Sequence, residues 1–291
     1  MVEMGLEDKV AVVTGANHGV GAATARALAA QKAAVFVTYL RLPVQDAGVS
    51  EAIEAGVPGQ AFYRARQALT ADEVVAGILR DGGRAEALEA DLADPSSVPR
   101  VFEAAEAALG PVDILVNNAA HCVADTFVPL DALPAGARSP SGARLRTFSP
   151  EEHDRHFAVN SRAAALMISE FARRHVERGA SWGRVVNVST DGAHVFRGEI
   201  SYGASKLALE GYARSAAVEL GPLGITVNTV SLGAVQTGWV SPEMEEEMSA
   251  EYPLRRVGRP EDVADVIVFF ASEQARWVTA QTLYVGGGHA M

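Results

Sequence analysis

The feature that most constrains the fold lies near the N-terminus, where a strand pattern, a glycine-rich turn and a helix pattern follow one another. Residues 9–14 form a β-branched run, the turn of residues 15–21 contains three glycines, and the alanine-rich residues 22–30 favour a helix. Glycines let the backbone approach a ligand closely, and the N–H groups and dipole at a helix start attract a phosphate. We therefore predict that this turn binds a dinucleotide. The turn residues assigned to that role are Gly15, Asn17, His18, Gly19, Val20 and Gly21.

Strand and helix patterns continue to alternate along the rest of the chain. Further strands are predicted at residues 34–39, 85–92, 112–116, 183–189, 224–230 and 282–285. Strands separated by helices pair in parallel through right-handed crossovers. The order therefore predicts an α/β fold, a doubly wound parallel sheet of the Rossmann type with helices on both faces, in a single domain over residues 1–291. Ligands of such sheets bind beyond the carboxyl ends of the strands.

Two stretches interrupt this alternation, residues 41–69 and residues 121–148. Both contain several prolines and glycines and are longer than an ordinary connection. We interpret both as loop insertions, the first with room for a short helix. The second leaves the carboxyl end of the fourth strand, so we predict that it acts as a lid on the substrate side. After it, Ser149 and Glu152 form a capping pattern that predicts one helix running to about residue 178.

The composition narrows the class of partner. A net charge of −11 argues against nucleic acid and against an anionic membrane surface, since both need a basic footprint. The single cysteine, Cys122, cannot form an intrachain disulfide, and we interpret it as a packing or substrate contact. No apolar run approaches the roughly 18 residues of a membrane span. We expect a soluble, cytoplasmic protein that acts on a small molecule.

A tyrosine and a lysine stand one helical turn apart, at Tyr202 and Lys206. On a helix they share a face, and a nearby cation lowers the pKa of a phenol, which makes the phenol a usable proton donor or acceptor. The chain has 25 lysines and arginines, but its only lysines are Lys9, Lys32 and Lys206. A compact ammonium at position 206 therefore indicates a site where the broad guanidinium group of arginine does not fit.

Together these motifs resemble those of the short-chain dehydrogenase/reductase superfamily, in particular its single-domain Tyr-x-x-x-Lys branch with 3-oxoacyl-carrier-protein reductase-like members. The resemblance runs from about residue 9 to the C-terminus. It rests on Thr14-Gly15-x-x-x-Gly19-x-Gly21, on Asn117-Asn118-Ala119 and on Tyr202-x-x-x-Lys206. The sequence departs from the family pattern at Ala120, where glycine is usual, and at Leu232, where proline is usual.

The resemblance implies a catalytic tetrad of Asn160, Ser189, Tyr202 and Lys206. In the family, the tyrosine exchanges a proton with the substrate oxygen while hydride moves to or from the nicotinamide. The serine hydrogen-bonds that oxygen, the lysine holds the nicotinamide ribose and lowers the pKa of the tyrosine, and the asparagine positions a proton-relay water. Hydride addition to a ketone develops alkoxide charge, so such donors lower the barrier without a metal.

Two adjacent hydroxyls compete for the donor role. Counting 13 residues back from Tyr202 selects Ser189, whereas counting from the start of the strand selects Thr190. Successive strand side chains point to opposite faces, so only one of them can face the substrate oxygen. We predict Ser189, because the oxygen must lie within reach of both the hydroxyl and the phenol.

The resemblance also implies a set of cofactor contacts outside the glycine turn. NADP(H) is favoured over NAD(H), because Tyr39 stands where NAD-binding sheets usually place a carboxylate, and Arg41 could pair with the additional phosphate. His18 sits where NADP-using relatives often have an arginine. The further contacts implied are Asp91, Leu92, Asn118, Ala119, Tyr202, Lys206, Val235 and Thr237.

The predicted function is an NADP(H)-dependent oxidoreductase that acts on a carbonyl or a secondary alcohol, with Tyr202 as general acid or base. The alternative is a non-catalytic cofactor-binding regulator or scaffold on the same fold, which would be expected to lack some of the reacting groups. The resemblance further implies a homo-oligomer, a dimer or a tetramer. His153 and His156 lack the spacing of a zinc-protease helix, so we interpret them as a solvated face and predict no metal site.

Overall fold

A seven-stranded parallel sheet forms the centre of the molecule. The computed structural model describes residues 4–43, 51 and 54–289. In chain order the strands are β1 (Val10–Thr14), β2 (Ala34–Tyr39), β3 (Arg84–Glu89), β4 (Ile114–Asn117), β5 (Asp125–Thr126), β6 (Arg146–Thr147), β7 (Gly183–Thr190), β8 (Ile225–Leu232) and β9 (Thr282–Val285). The sheet has the order β3-β2-β1-β4-β7-β8-β9, and β5 pairs with β6 outside it. The prediction of a doubly wound Rossmann fold is confirmed.

Helices cover both faces of this sheet. They are α1 (Gly19–Ala30), α2 (Gln60–Gln67), α3 (Asp72–Arg80), α4 (Ser97–Leu109), α5 (Pro150–Phe157), α6 (Ala164–Glu177), α7 (Ile200–Leu220), α8 (Pro242–Glu251) and α9 (Pro260–Ala271). Helices α1, α3 and α9 pack on one face, and α4, α6 and α7 pack on the other. None of the helices in the described residues is long and apolar enough to cross a lipid bilayer.

The two faces explain why the strand sequences are almost continuously apolar. Val12 and Val13 are neighbours in β1 and point to opposite faces, and both are fully buried, one in each hydrophobic core. A parallel strand that is covered by helices on both sides has no solvent face, so it shows no alternation of polar and apolar residues.

The predicted helix over residues 149–178 is present but is not uniform. It begins at the Ser149 cap, whose hydroxyl accepts a hydrogen bond from the Glu152 N–H, and α5 then passes through a π-helical turn, Ala158–Ala163, into α6. Such turns are rare and occur often at functional sites. The periodicity of the sequence does not reveal it, because a π turn changes the backbone pairing without changing the residue types.

Both interrupting stretches contain ordered structure. The described part of the first stretch holds α2, and residues 44–50 and 52–53 of that stretch lie outside the described residues. The second stretch carries β5 at its start and a 3₁₀ turn, Leu130–Ala132, and β6 lies near its end. The chain crossovers reverse direction between β1 and β4, so a ligand crevice is expected there, beyond the carboxyl ends of the strands.

Candidate active site

The glycine turn between β1 and α1 forms a tight cradle. Gly15 has a φ of +64°, a backbone angle that residues other than glycine adopt only with strain. A Cβ atom on Gly21 would lie 2.4 Å from the Gly15 carbonyl oxygen and 2.6 Å from the Asn118 side-chain nitrogen. There is therefore no room for a side chain at position 21. The turn lies close against the N-terminus of α1, whose free N–H groups and dipole favour a phosphate, so the site fits the diphosphate of a dinucleotide.

Polar side chains fix this turn to the end of β4. Thr14 Oγ1 accepts hydrogen bonds from the N–H groups of Asn118 and Ala119, both at 2.9 Å. The Asn118 side-chain amide donates to the carbonyl oxygens of Thr14 and Gly15, also at 2.9 Å. Asn118 was predicted as a cofactor contact, and it does line the crevice, but its amide nitrogen is engaged in holding the turn.

A cavity of about 680 Å³ occupies the expected crevice. Its wall brings together residues that are far apart in sequence, from the glycine turn, the ends of β2, β3, β4 and β7, the start of α7 and the loop after β8. The predicted site residues in this wall are Gly15, Asn17, His18, Gly19, Val20, Tyr39, Asp91, Leu92, Asn118, Ala119, Ser189, Tyr202, Lys206, Val235 and Thr237. Three predicted residues, Gly21, Arg41 and Asn160, do not line it.

Arg41 is engaged elsewhere. Its Nε donates to Glu89 Oε2 at 2.9 Å, and a second guanidinium nitrogen lies 2.8 Å from the same oxygen. This pairing raises the pKa of Arg41 and lowers the pKa of Glu89. The prediction that Arg41 is available for a cofactor phosphate is therefore not supported by its position, because its charge is already paired with the carboxylate at the end of β3.

Tyr202 and Lys206 share the inner face of α7, as the spacing predicts. Lys206 is buried, and its Nζ donates to the Val188 carbonyl oxygen at 2.8 Å and lies 5.8 Å from the centre of the Tyr202 ring. Burial lowers the pKa of Lys206 to about 8. The Tyr202 hydroxyl has no hydrogen-bond partner among the described residues, which leaves it available to a ligand.

The effect of the protein on the phenol differs from the prediction. The sequence predicts that Lys206 lowers the pKa of Tyr202. In the structure, burial raises the pKa of Tyr202 well above its usual value, and the nearby Cys122 and Glu199 raise it further. The removal of the phenol from water outweighs the cation, so the protein by itself keeps Tyr202 in the protonated form.

Asn160 lies behind the cavity wall, in the π-helical turn. Its Oδ1 accepts from the His121 N–H at 2.7 Å, and its Nδ2 donates to the His121 carbonyl oxygen at 2.8 Å and to Ser205 Oγ at 2.9 Å. The buried side chain thus connects the segment after β4 to the helix that carries Tyr202. Both polar side-chain atoms of Asn160 are therefore bound to protein groups in this structure.

The two adjacent hydroxyls at the end of β7 have different surroundings. Ser189 Oγ donates to Glu210 Oε1 at 2.7 Å, and both residues are 2% exposed. The Thr190 oxygen accepts from the Gly192 N–H at 3.3 Å and lies 3.5 Å from Asp191 Oδ1, both longer contacts. The Ser189 hydroxyl proton is thus directed at a buried carboxylate, whereas the Thr190 hydroxyl is held only by longer contacts. The count of residues from Tyr202 does not reveal this difference, because residue spacing does not determine which side chain has a competing partner.

Several cavity residues were not predicted as site residues. Glu199 precedes α7 and is 2% exposed, and its carboxylate accepts hydrogen bonds from the Ser141 hydroxyl and, at 3.6 Å, from the Cys122 thiol. Cys122 is exposed to the cavity, and desolvation raises the pKa of its thiol well above the usual value, with Glu199 adding to the shift. An acidic residue three positions before Tyr202 is the one signal in the sequence that could have indicated this cluster.

A group of two histidines and a glutamate lies beside the cavity. His121, Glu152 and His156 have ligand atoms within 4.8 Å of one another. His156 is fully buried, so its interpretation as part of a solvated face is wrong. Its Nε2 accepts from the Val123 N–H at 3.1 Å and its Nδ1 donates to the Glu152 carbonyl oxygen at 2.6 Å. Both ring nitrogens of His156 are therefore used in hydrogen bonds, which leaves no lone pair on this ring for a metal ion.

Comparisons with known proteins agree with this geometry. A family model described as enoyl-(acyl carrier protein) reductase matches residues 59–290. The uncharacterized oxidoreductase YjdA of Bacillus subtilis is 34% identical over 97% of both chains, and the NADPH-dependent aldehyde reductase 2 of Arabidopsis thaliana chloroplasts is 34% identical over 97% of this chain and 94% of that protein.

A solved structure supports the same assignment. The angucycline C-6 ketoreductase LanV with bound NADP superposes with a TM-score of 0.75 at 30% identity, and the match covers 99% of this chain and 97% of that one. The family model covers most of the chain, and the relatives match it almost from end to end. The protein therefore belongs to the short-chain dehydrogenase/reductase family of oxidoreductases.

Proposed function

We propose that the protein is an NADP(H)-dependent reductase of a carbonyl substrate, or in reverse a dehydrogenase of a secondary alcohol, with Tyr202 as the proton donor or acceptor. The observation that carries the proposal is the Tyr202 hydroxyl, which faces the cavity without a hydrogen-bond partner among the described residues, one helical turn from the buried Lys206. A phenol in this position can give its proton to an oxygen that becomes an alkoxide.

The cofactor supplies hydride when it is bound, and the protein supplies the proton and the charge stabilisation. Lys206 Nζ donates to the Val188 carbonyl oxygen and has further N–H groups that can hold a ribose hydroxyl. The raised pKa of Tyr202 suits the direction of carbonyl reduction, because the phenol is protonated before the reaction. Asn160 holds the segment after β4 in position and is not assigned a contact with the reacting atoms.

We propose that Thr190 is the residue that donates a hydrogen bond to the substrate oxygen. It lies next to Ser189 in the wall of the cavity, and its contacts to Gly192 and Asp191 are long enough to be exchanged for a substrate contact. The hydroxyl of Ser189 would first have to leave Glu210, whose buried carboxylate would then keep the Arg214 guanidinium, 3.7 Å from its other oxygen, as its partner among the described residues.

The preference for NADP(H) is part of the proposal. The residue that lines the cavity at the end of β2 is Tyr39, so this position has no carboxylate that would repel an additional phosphate. The relative from Arabidopsis thaliana is named for its dependence on NADPH, and LanV was solved with NADP bound. A non-catalytic role is the weaker candidate, because Tyr202 and Lys206 are both present and correctly spaced, and the cavity wall includes both.

A homo-oligomer is also proposed. Large apolar side chains are exposed on the outer surfaces of α6 and α7: Val176 is 56% exposed, Tyr212 49% and Val218 75%. Exposed apolar surface of this kind is typical of association sites. Light scattering at micromolar concentration should give the mass of a dimer or tetramer, and a monomer mass would contradict the proposal.

The function is tested by incubating the purified protein with NADPH or NADH and a panel of aldehydes, ketones and sugars, and with NADP⁺ or NAD⁺ and the matching alcohols. Turnover is followed by the nicotinamide absorbance. The proposal predicts oxidation of NADPH by at least one carbonyl class, with a larger kcat/KM for NADPH than for NADH. Tight binding of NADPH without turnover across the panel would favour the non-catalytic alternative.

A further inference from the structure

Helix α2, in the first interrupting stretch, lies directly against the glycine turn of residues 15–21. The Tyr63 ring is 5.5 Å from the His18 ring, and the Asn17 side chain donates to the Leu69 carbonyl oxygen at 2.8 Å. On its other side, the Gly59 N–H donates to the Gly238 carbonyl oxygen at 2.8 Å. The helix therefore bridges the glycine turn and the loop after β8, both of which line the cavity.

Arg66 on this helix carries donors that the described residues do not use. Its Nε is buried and has no hydrogen-bond partner, and no described carboxylate forms an ion pair with it. Its Cδ lies 3.4 Å from the position that a Cβ on Gly238 would take, and its guanidinium carbon lies 5.7 Å from the Phe62 ring. The side-chain stem is thus packed between the helix and the loop, and a buried unpaired donor of this kind is costly unless a ligand satisfies it.

His18 is the second unsatisfied group at this place. Its Nδ1 is buried and has no hydrogen-bond partner among the described residues. Burial, and then the charge of Arg66, lower the pKa of His18 to about 4, so the ring is neutral at pH 7 and Arg66 is near enough to act on it. An arginine and a histidine, each with a buried nitrogen that has no hydrogen-bond partner among the described residues, therefore lie near each other beside the N-terminus of α1.

Arg41 provides the contrast. It is the arginine that the sequence singles out for a phosphate, yet its guanidinium is paired with Glu89 at 2.8 and 2.9 Å. Arg66 differs in its surroundings. Its guanidinium has an unused N–H donor, and no acidic residue among the described residues is paired with it. In a chain with a net charge of −11, an arginine left without an acid beside a phosphate-favouring helix terminus fits an anionic ligand.

We propose that Arg66, together with His18, binds a phosphate group of the nicotinamide cofactor, so that the interrupting helix α2 contributes to cofactor recognition. This inference rests on the proposed function, because it requires that the protein binds NADP(H). Two phosphates have the required chemistry, the 2′-phosphate that distinguishes NADPH from NADH and the diphosphate that both carry. The experiment separates the two.

Dissociation constants for NADPH and NADH are measured by calorimetry for the wild type, Arg66→Met, Arg66→Lys and Arg64→Met. Methionine retains the apolar stem, and Arg64 is an exposed arginine two residues away on the same helix, so Arg64→Met is the matched control for loss of charge. Arg66→Met should raise the dissociation constant for NADPH by about tenfold to a hundredfold, the range for loss of a hydrogen bond to a charged group. Arg66→Lys should restore part of this loss, and Arg64→Met should bind like the wild type.

A loss of affinity confined to NADPH assigns Arg66 to the 2′-phosphate, and an equal loss of affinity for NADH assigns it to the diphosphate. Both Arg66 variants binding within twofold of the wild type would overturn the inference while leaving the proposed function intact. A loss in Arg64→Met as large as that in Arg66→Met would also overturn it, because the effect would then be one of general charge. Failure of the wild type to bind either dinucleotide would overturn the proposed function and this assignment with it.

Discussion

The two ends of the cavity are built in different ways. At the cofactor end, the glycine turn is shaped by backbone and small residues: Gly21 has no room for a side chain, and the side chains of Thr14 and Asn118 hold the turn through hydrogen bonds to backbone groups. At the substrate end, the shape is set by side chains from remote loops, such as Ser141 and Glu199. The cofactor end is therefore rigid by construction, whereas the substrate end can change its specificity by changing loop residues without disturbing the fold.

Apart from loss of the Tyr202 phenol itself, the largest expected effect concerns the hydroxyl donor at the substrate end. Thr190→Ala should lower kcat by roughly a hundredfold, the scale of losing one donor to a developing oxyanion. Thr190→Ser should retain most of kcat, because it keeps the hydroxyl. Ser189→Ala should leave kcat within a few-fold of the wild type and lower the free energy of unfolding, since it removes the hydrogen bond to Oε1 of the buried Glu210 and leaves only the longer ion pair of that carboxylate with Arg214 among the described residues. Steady-state kinetics in which Ser189→Ala is the more damaging change would return the donor role to Ser189.

At the cofactor end, a single methyl group should be sufficient to disrupt the site. A Cβ in Gly21→Ala would lie 2.4 Å from the Gly15 carbonyl oxygen, so the turn must move, and overpacking of this kind costs about 1–3 kcal/mol of unfolding free energy. NADPH binding should weaken in parallel. Gly211→Ala is the matched control, because that helical glycine has open space around its Cβ position. A Gly21→Ala protein with wild-type stability and affinity in melting and binding experiments would show that the cradle is not rigid.

The next prediction concerns the loop of residues 121–148, which is predicted to act as a lid on the substrate side. Ser141→Ala removes a hydrogen bond to the buried Glu199 carboxylate, and Gln60 also holds this loop through the Ser141 carbonyl oxygen at 3.0 Å. We expect KM for the carbonyl substrate to change several-fold, in line with about 1 kcal/mol for one hydrogen bond, with the dissociation constant of NADPH unchanged. If NADPH binding weakens while KM stays constant, the loop belongs to the cofactor end.

A further expected effect is on the pH dependence of stability. The pKa of Lys206 is about 8 in the folded protein and about 10.4 in an unfolded chain, so the unfolded state holds more protons between these values. The contribution of Lys206 to stability should therefore rise with pH from about 8 to 10, while the Cys122 thiol, whose pKa is raised by burial, contributes in the opposite direction in both the wild type and Lys206→Met. Lys206→Met should lack the contribution of Lys206. Thermal melts at several pH values compare the two proteins, and parallel curves would mean that Lys206 titrates normally.

The same contrast explains what could be predicted from the sequence. The seven strands and the glycine turn follow from residues that are consecutive in the chain, so β-branched runs and glycine spacing were sufficient to find them. The partner of Ser189 could not be predicted, because Glu210 lies 21 residues further on and only the packing of α7 on β7 brings the two together. For the same reason the pairing of Arg41 with Glu89 and the position of Arg66 required the structure.

The pKa of Tyr202 illustrates a second kind of limit. The Tyr-x-x-x-Lys spacing correctly predicts that the two side chains share a face, since this depends on helix geometry alone. The direction of the pKa shift depends on how much water the fold removes from the phenol and on Cys122 and Glu199, which come from other segments. Burial is a property of the complete fold, so a local motif does not determine it.

We infer that cofactor binding and proton transfer are carried by separate groups, and the variant Tyr202→Phe distinguishes the two. The variant loses only the phenol oxygen, and Tyr212→Phe serves as its control because Tyr212 is 49% exposed on the same helix. We predict that Tyr202→Phe binds NADPH within about twofold of the wild type while its turnover of a carbonyl substrate falls by roughly 10²–10⁴, the range for loss of a general acid. Turnover close to that of the wild type, with NADPH saturating, would contradict the account.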